Sequence, residues 1–193
     1  MRNKLDEQVI LQAALKVFSR YGYKKSTLED IAGELNMTNT AIYAYAPSKR
    51  ALYEQTVRFV MLRWQTSVRR AVDAEPTARG KLTALCENAL FYLSTDPEFC
   101  SLLRNDPSIF PMFPAVDPYE EINAESVHMI ARILAFGRET GEFRPLDETG
   151  VSEVLFGIYK SFIIHTYINA EEEYTRRYLP MTMDLVLGGV LKP

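Results

Sequence analysis

A chain of 193 residues with 47% hydrophobic and 24% charged residues has the composition of a globular protein, long enough to bury a core without staples. Cys86 and Cys100 have no partners at metal-ligand spacing and read as buried thiols of a reducing cytoplasm, Lys160 and His165 interrupt the most apolar late segment before it reaches membrane-spanning length, and Met-Arg-Asn-Lys-Leu-Asp-Glu at the start lacks the apolar core of a signal peptide. The net charge of −3 is uneven: residues 1–60 hold nine Lys/Arg against six Asp/Glu, and residues 61–193 hold thirteen against nineteen, so a basic end sits on an acidic body, an asymmetry that points to local anion binding only weakly.

In chain order, Val9, Ile10, Ala13, Ala14, Val17 and Phe18 recur at three-four spacing and predict a helix over 6–21, which Gly22 ends as a C-cap glycine does. Thr27 and Asp30 have capping-box spacing, and Leu28, Ile31, Ala32 and Leu35 give the helix that follows one apolar face. Asn36-Met37 makes a tight break, since Asn tolerates the left-handed backbone. A short helix then runs over 38–46, with Thr38 as its N-cap, Ala41 and Ile42 inward, and Pro47 as its stop. Ser48 caps a long amphipathic helix that reaches about residue 72. Further helices are expected over 78–95, 97–104, 119–140, 148–170 and 172–187, the last ended by Gly188-Gly189. Residues 106–118 are irregular and carry Pro107, Pro111, Pro114 and Pro118. No stretch alternates with period two, so the fold class is all-α, with a division into 1–48 and 49–193.

The pair of helices over 28–35 and 38–46 has the lengths of a helix-turn-helix, in which the second helix enters a DNA major groove. The outward positions of that second helix are Thr38, Asn39, Thr40, Tyr43, Ala44 and Tyr45, with no Lys or Glu among them. Asn can pair with an adenine edge, Thr can meet a thymine methyl or a phosphate, and Tyr hydroxyls commonly bind phosphate oxygens. Lys49 follows at the start of the next helix, where its ammonium and the helix N-terminus can hold one backbone phosphate. Helix pairs with short breaks also occur as plain packing units, so spacing alone leaves DNA binding and packing about even.

The stretch from Val9 to Tyr53 resembles the N-terminal domain of TetR-family transcriptional regulators. The matching elements are Ile10-Leu11-Gln12-Ala13-Ala14 with Phe18, Tyr21-Gly22-Tyr23, Ser26-Thr27-Leu28-Glu29-Asp30-Ile31-Ala32, Ile42-Tyr43, Pro47-Ser48-Lys49 and Ala51-Leu52-Tyr53. The resemblance implies an N-terminal three-helix DNA-binding domain and a larger helical regulatory and dimerisation domain. It implies phosphate contacts from Thr27, Tyr43, Tyr45 and Lys49, and contacts at or beside base edges from Thr38, Asn39, Thr40 and Ala44. Three positions depart from the family pattern: Asn39-Thr40 replaces a Lys-Gly-like pair, Ala44 replaces a larger residue that is often His, and Ala46 replaces the usual Phe, which implies a looser junction to the fourth helix.

For the body, the resemblance implies a small-molecule effector pocket and a homodimer through the helices over 148–170 and 172–187. The partners are therefore a double-stranded DNA operator, a small-molecule effector and a second copy of the chain, with no membrane. Pocket candidates are Trp64, Phe91, Phe99, Phe110, Phe113, His128, Met129, Tyr159, Phe162 and His165, chosen because ligand sites are mostly apolar with a few polar groups, although such residues more often form core. Val154, Leu155, Ile158, Phe162, Met181, Met183, Leu185, Val186 and Val190 are the apolar residues available for a dimer interface. No catalytic triad, metal site, cofactor motif or phosphate loop assembles from the two histidines and two cysteines, so no enzyme is expected. A ligand-responsive, dimeric, cytoplasmic repressor is the first expectation. A cytosolic all-α ligand-binding protein with a structural helix-turn-helix is the alternative.

Overall fold

The computed structural model describes residues 7–113 and 115–192, so the expected helix start at residue 6 and Pro114 of the proline-rich segment lie outside the described residues. The described residues form α1 (Glu7–Lys25), α2 (Leu28–Glu34), α3 (Asn39–Tyr43), α4 (Lys49–Ala74), α5 (Ala78–Thr95), α6 (Pro97–Asn105), α7 (Glu120–Glu139), α8 (Glu148–Ile163) and α9 (Glu172–Val190). There is no strand among them, and the fold is all-α. A 3-10 turn follows α6 at Pro107–Ile109, and a π-helical turn, Ile164–Ile168, extends α8.

Local chemistry sets the boundaries at the N-terminal end. Gly22 breaks the regular course of α1 at φ 72°, a backbone conformation that costs glycine nothing. Thr27 and Asp30 close the capping box: the Thr27 hydroxyl accepts from the Asp30 amide at 3.1 Å, and the Asp30 carboxylate accepts from the Thr27 amide at 2.8 Å. Asn36 takes the left-handed conformation at φ 53° and turns the chain from α2 into α3. Ser48 caps α4 by accepting from the Ala51 amide at 3.1 Å.

Further on, Thr77, Asp96 and Asp147 cap α5, α6 and α8 in the same way. Two boundaries differ from expectation. Thr38 occupies the N-cap of α3 but its side chain makes no capping bond. Gly188-Gly189 does not stop α9, which continues to Val190, because its end is pinned from outside. The Arg144 amide donates to the Val190 carbonyl at 3.0 Å, and the Lys192 amide donates to the Glu142 carbonyl at 2.9 Å.

One continuous apolar core joins both ends of the molecule. At the N-terminal end Ile10, Phe18, Ile31, Ile42 and Leu52 are fully buried, and in the body Leu82, Leu93, Phe99, Leu102 and Phe143 are. Ala46, expected to loosen the junction to α4, is buried in this core. Polar ties cross between the parts. Arg63 of α4 donates to Gln12 of α1 at 2.8 Å, to the Tyr92 hydroxyl at 2.8 Å and to the Asp96 carboxylate. The Tyr53 hydroxyl donates to Asp106 at 2.7 Å, and Asn105 donates to the Ser19 carbonyl at 2.8 Å. Burial and the Asp106 bond together hold the Tyr53 phenol well above its ordinary pKa.

Candidate functional site

The eight residues singled out for DNA contact fall into two groups. Thr38, Thr40, Tyr43 and Ala44 are exposed around α3, with Tyr43 55% exposed, and the three side chains that carry a hydroxyl form no hydrogen bond among the described residues. Thr27, Asn39 and Lys49 are already engaged. The Thr27 hydroxyl donates to Asp30 at 2.7 Å as well as accepting from it. Asn39 donates to the Glu29 carboxylate at 2.6 Å. Lys49 donates to the carbonyls of Tyr23 at 2.8 Å and Ser26 at 3.0 Å, and its ammonium lies 4.5 Å from the centre of the Tyr23 ring. Tyr45 is half-buried and packs against the core rather than facing outward.

The engaged side chains fix the frame in which the exposed ones are presented. Two of the three Lys49 donors close carbonyls left open where α1 ends, so this lysine ties the start of α4 to the α1–α2 connection. Tyr23 stacks in turn on Tyr53, ring centres 4.8 Å apart, and Tyr53 meets Phe18 edge-on at 5.0 Å. Lys24 and Lys25, exposed and without an ion pair among the described residues, add charge beside Thr27. Their position just before the capping box could have flagged them from sequence.

In the body, a narrow cavity lies between α4, α5, α7, α8 and the 3-10 segment. It encloses about 480 Å³ of space between atoms, its mouth included. Trp64, Phe110, Met129 and Tyr159 line it, as do Met61, Phe156 and the uncharged polar residues Gln65, Asn123 and Ser126. Trp64 is held by a hydrogen bond from its indole N–H to the Ala89 carbonyl at 3.0 Å, and it stacks on Tyr159 at 5.9 Å. Full burial keeps the Tyr159 phenol well above its ordinary pKa, so it stays a neutral hydroxyl. Gln65 donates to the Ile122 carbonyl at 2.8 Å and to Ser126 at 3.0 Å, and Asn123 donates to Asp117 at 2.7 Å.

A second apolar cleft of about 460 Å³ lies under α9, between Leu85, Cys86, Tyr159, Phe162, Leu179 and Met183 among others. Burial pushes the Cys86 thiol up to about 12, which leaves it an inert apolar lining.

The remaining pocket candidates line neither space. Phe99 is core, meeting Trp64 edge-on at 5.7 Å. Phe91 and Phe113 are exposed, at 65% and 89%. The His128 side chain is exposed beside Glu125 on the outer face of α7. His165 pairs with Glu171 and stacks on Tyr174 at 3.9 Å, which closes the π-helical turn onto α9. Gln65, Asn123 and Ser126 went unpicked because only the packing of α7 on α4 turns them inward. Of the interface candidates, Phe162 and Val190 are buried within the chain, whereas Val154, Met181 and Leu185 are exposed, at 63%, 60% and 76%.

Among the described residues no group of three or more His, Cys, Asp or Glu could hold a metal ion, and no helix is long and apolar enough to cross a membrane.

Residues 10–56 match the family model described as bacterial regulatory proteins, tetR family. The chain is 34% identical over 96 residues to the uncharacterized HTH-type transcriptional regulator YuxN of Bacillus subtilis, which covers 45% of this chain and 31% of that one. It is 39% identical over 49 residues to the biofilm operon icaADBC HTH-type negative transcriptional regulator IcaR of Staphylococcus aureus, covering 25% of this chain and 26% of that one. The matches thus span under a third of the length of these curated relatives.

Likeness of fold extends much further. The structure of FadR from Bacillus subtilis in complex with stearoyl-CoA superposes with a TM-score of 0.76 at 18% identity, covering 95% of this chain and 99% of that one. A TetR transcription regulator from Haloarcula marismortui gives 0.76 at 20% identity, covering 96% and 97%. The matched N-terminal helices and the shared all-α architecture make this chain a member of the TetR family, DNA-binding transcriptional regulators rather than enzymes.

Proposed function

We propose that the chain is a ligand-responsive transcriptional repressor. It acts as a homodimer in which a head, residues 1–48, binds a palindromic operator and a body, residues 49–193, binds a small, largely hydrophobic effector that releases the DNA. The observation that carries this is the set of uncommitted hydroxyls on an exposed α3, within the stretch that matches the family. Thr38, Asn39, Thr40 and Ala44 meet base edges or the backbone beside them, and Tyr43 and Tyr45 meet phosphates. Lys49 can offer one remaining N–H to a phosphate while holding the head together, and Thr27 contributes at the N-terminus of α2.

Two recognition helices must lie roughly 34 Å apart to enter successive major grooves, which calls for a two-fold dimer. Exposed Val154 on α8 and Met181 and Leu185 on α9 supply apolar surface for it. That IcaR is named a negative regulator, and that FadR is described with stearoyl-CoA, supports repression and an apolar effector here. An effector works only by favouring one spacing of the two heads over the other.

Selection of bound duplexes from random DNA tests this proposal. A palindromic consensus bound by two chains is expected, and apolar compounds that change the emission of Trp64 should release it. Recovery of no preferred duplex, with apolar ligand binding intact, would instead favour an all-α ligand-binding protein.

A further inference from the structure

Lys160 of α8 is buried, with 6% of its surface exposed, yet it has no ion pair or hydrogen bond among the described residues. Its ammonium lies 5.0 Å from the centre of the Phe110 ring and 5.6 Å from that of Phe156. Both rings line the cavity beside Trp64, so the lysine sits against two walls of that space. The nearest opposing charge is Asp117, whose carboxylate is occupied, accepting from the Tyr119 amide at 2.8 Å and from Asn123 at 2.7 Å. Burial lowers the lysine's pKa, and Asp117 opposes that only in part. Aromatic faces attract a cation but leave its three N–H groups without acceptors. A buried ammonium in this state is costly, and a methionine would fill the same space without the penalty.

The cavity itself has polar groups without charge. Gln65, Asn123 and Ser126 lie on one side of it, and the Tyr159 hydroxyl makes no hydrogen bond among the described residues. An apolar cleft with an unsatisfied cation at its margin fits a ligand with an apolar chain and an anionic head.

We propose that the effector is an anionic amphiphile, a carboxylate or phosphate on an apolar chain, whose head group is bound by Lys160 while its chain lies between Trp64, Phe156 and Tyr159. This rests on the body cavity being the effector site, and it adds the charge class of the effector.

The full-length protein is titrated with dodecanoate, dodecyl phosphate, dodecanol and dodecyltrimethylammonium, following the emission of Trp64, the chain's one tryptophan. Charge-assisted hydrogen bonds predict that at least one of the two anions binds about tenfold or more tighter than the alcohol, with the cation weakest. The tighter of the two anions identifies carboxylate or phosphate as the source of the charge. Lys160→Met should erase the preference by weakening the anion while leaving dodecanol affinity unchanged, and Lys160→Arg should restore much of it. Equal binding of both anions and alcohol by the unaltered protein, or a preference that survives Lys160→Met, would overturn the proposal while leaving the cavity reading intact. Binding of none of the four would overturn both. The comparison within the unaltered protein stands even if a variant fails to fold.

Discussion

The head and the body of this protein are held by different physics. Around α2 and α3 the backbone is closed by polar side chains: Thr27 with Asp30, Ser48 on α4, and Lys49 on the carbonyls of Tyr23 and Ser26. Its outward side chains are left without protein partners, as a surface awaiting a polar polymer requires. The body is held by apolar packing, and its spare capacity lies inside, in a cleft walled by Trp64, Phe110, Phe156 and Tyr159 with a buried cation at its edge. One region keeps its unsatisfied groups at the surface and the other keeps them in its interior. That is the division of labour expected of a sensor coupled to a DNA reader, and substitutions can test each side of it.

The largest effect should come from overfilling the body. A Cβ at Gly137 would lie 2.2 Å from the Phe143 ring, which is buried with no room to retreat. Gly137→Ala should destabilise the protein by about 3 kcal/mol, read as a lowered denaturant midpoint. An unchanged midpoint would show that the body is not limited by space.

Next is the tie between the regions. Tyr53→Phe removes the hydrogen bond to Asp106, whose segment leads through Ile109 to Phe110 at the cavity wall. Loss of a bond to a carboxylate should cost about 2 kcal/mol in stability. It should also weaken release of DNA by ligand more than it weakens either binding event measured alone. Equal losses in all three would make Tyr53 merely structural.

A head-only change follows. Thr27→Ala opens the capping box at α2 and should cost about 1 kcal/mol, with operator affinity falling and ligand affinity unchanged in the same preparation.

The smallest effect concerns Glu142, which accepts from the amides of Ala78 at 2.9 Å and Arg79 at 3.2 Å at the start of α5. Those backbone bonds, that of Ala78 first, hold its pKa below the ordinary 4.5. A carboxyl with a depressed folded pKa contributes stability above its unfolded pKa and loses it as pH falls through the folded one. The stability gap between the native chain and Glu142→Gln should therefore shrink as pH is lowered from about 6 to about 3. Solvent screening limits it to a few tenths of a kcal/mol. A gap that widens in acid would contradict the assignment.

What could be read in the sequence follows the same division. The head was legible because its signals are local: the Thr27–Asp30 spacing, Asn36 at φ 53° and Gly22 at φ 72° act within a few residues of themselves. The engagement of Lys49 was not legible, since its carbonyl partners lie 23 and 26 residues away. In the body, helix positions followed from periodicity, but which face of α7 meets the cavity depends on packing against α4. Aromatic residues alone were therefore a poor guide: Phe91 and Phe113 point to solvent, while Asn123 and Ser126 point inward. The run through Gly188-Gly189 was missed because the partner that pins α9 is the turn containing Phe143, far away in sequence.

The most direct test of the account is the salt dependence of binding to a selected palindromic duplex, with the native chain beside a Thr40→Ala/Tyr43→Ala double variant. These positions are exposed and make no hydrogen bond among the described residues, so the variant should fold unchanged, which Lys49→Ala would not guarantee. The account predicts that log Kobs falls linearly with log salt at a slope of about −4 or steeper, and that the double variant binds at least about tenfold more weakly with a shallower slope. A native slope near zero, or a double variant that binds with the native affinity and slope, would contradict it.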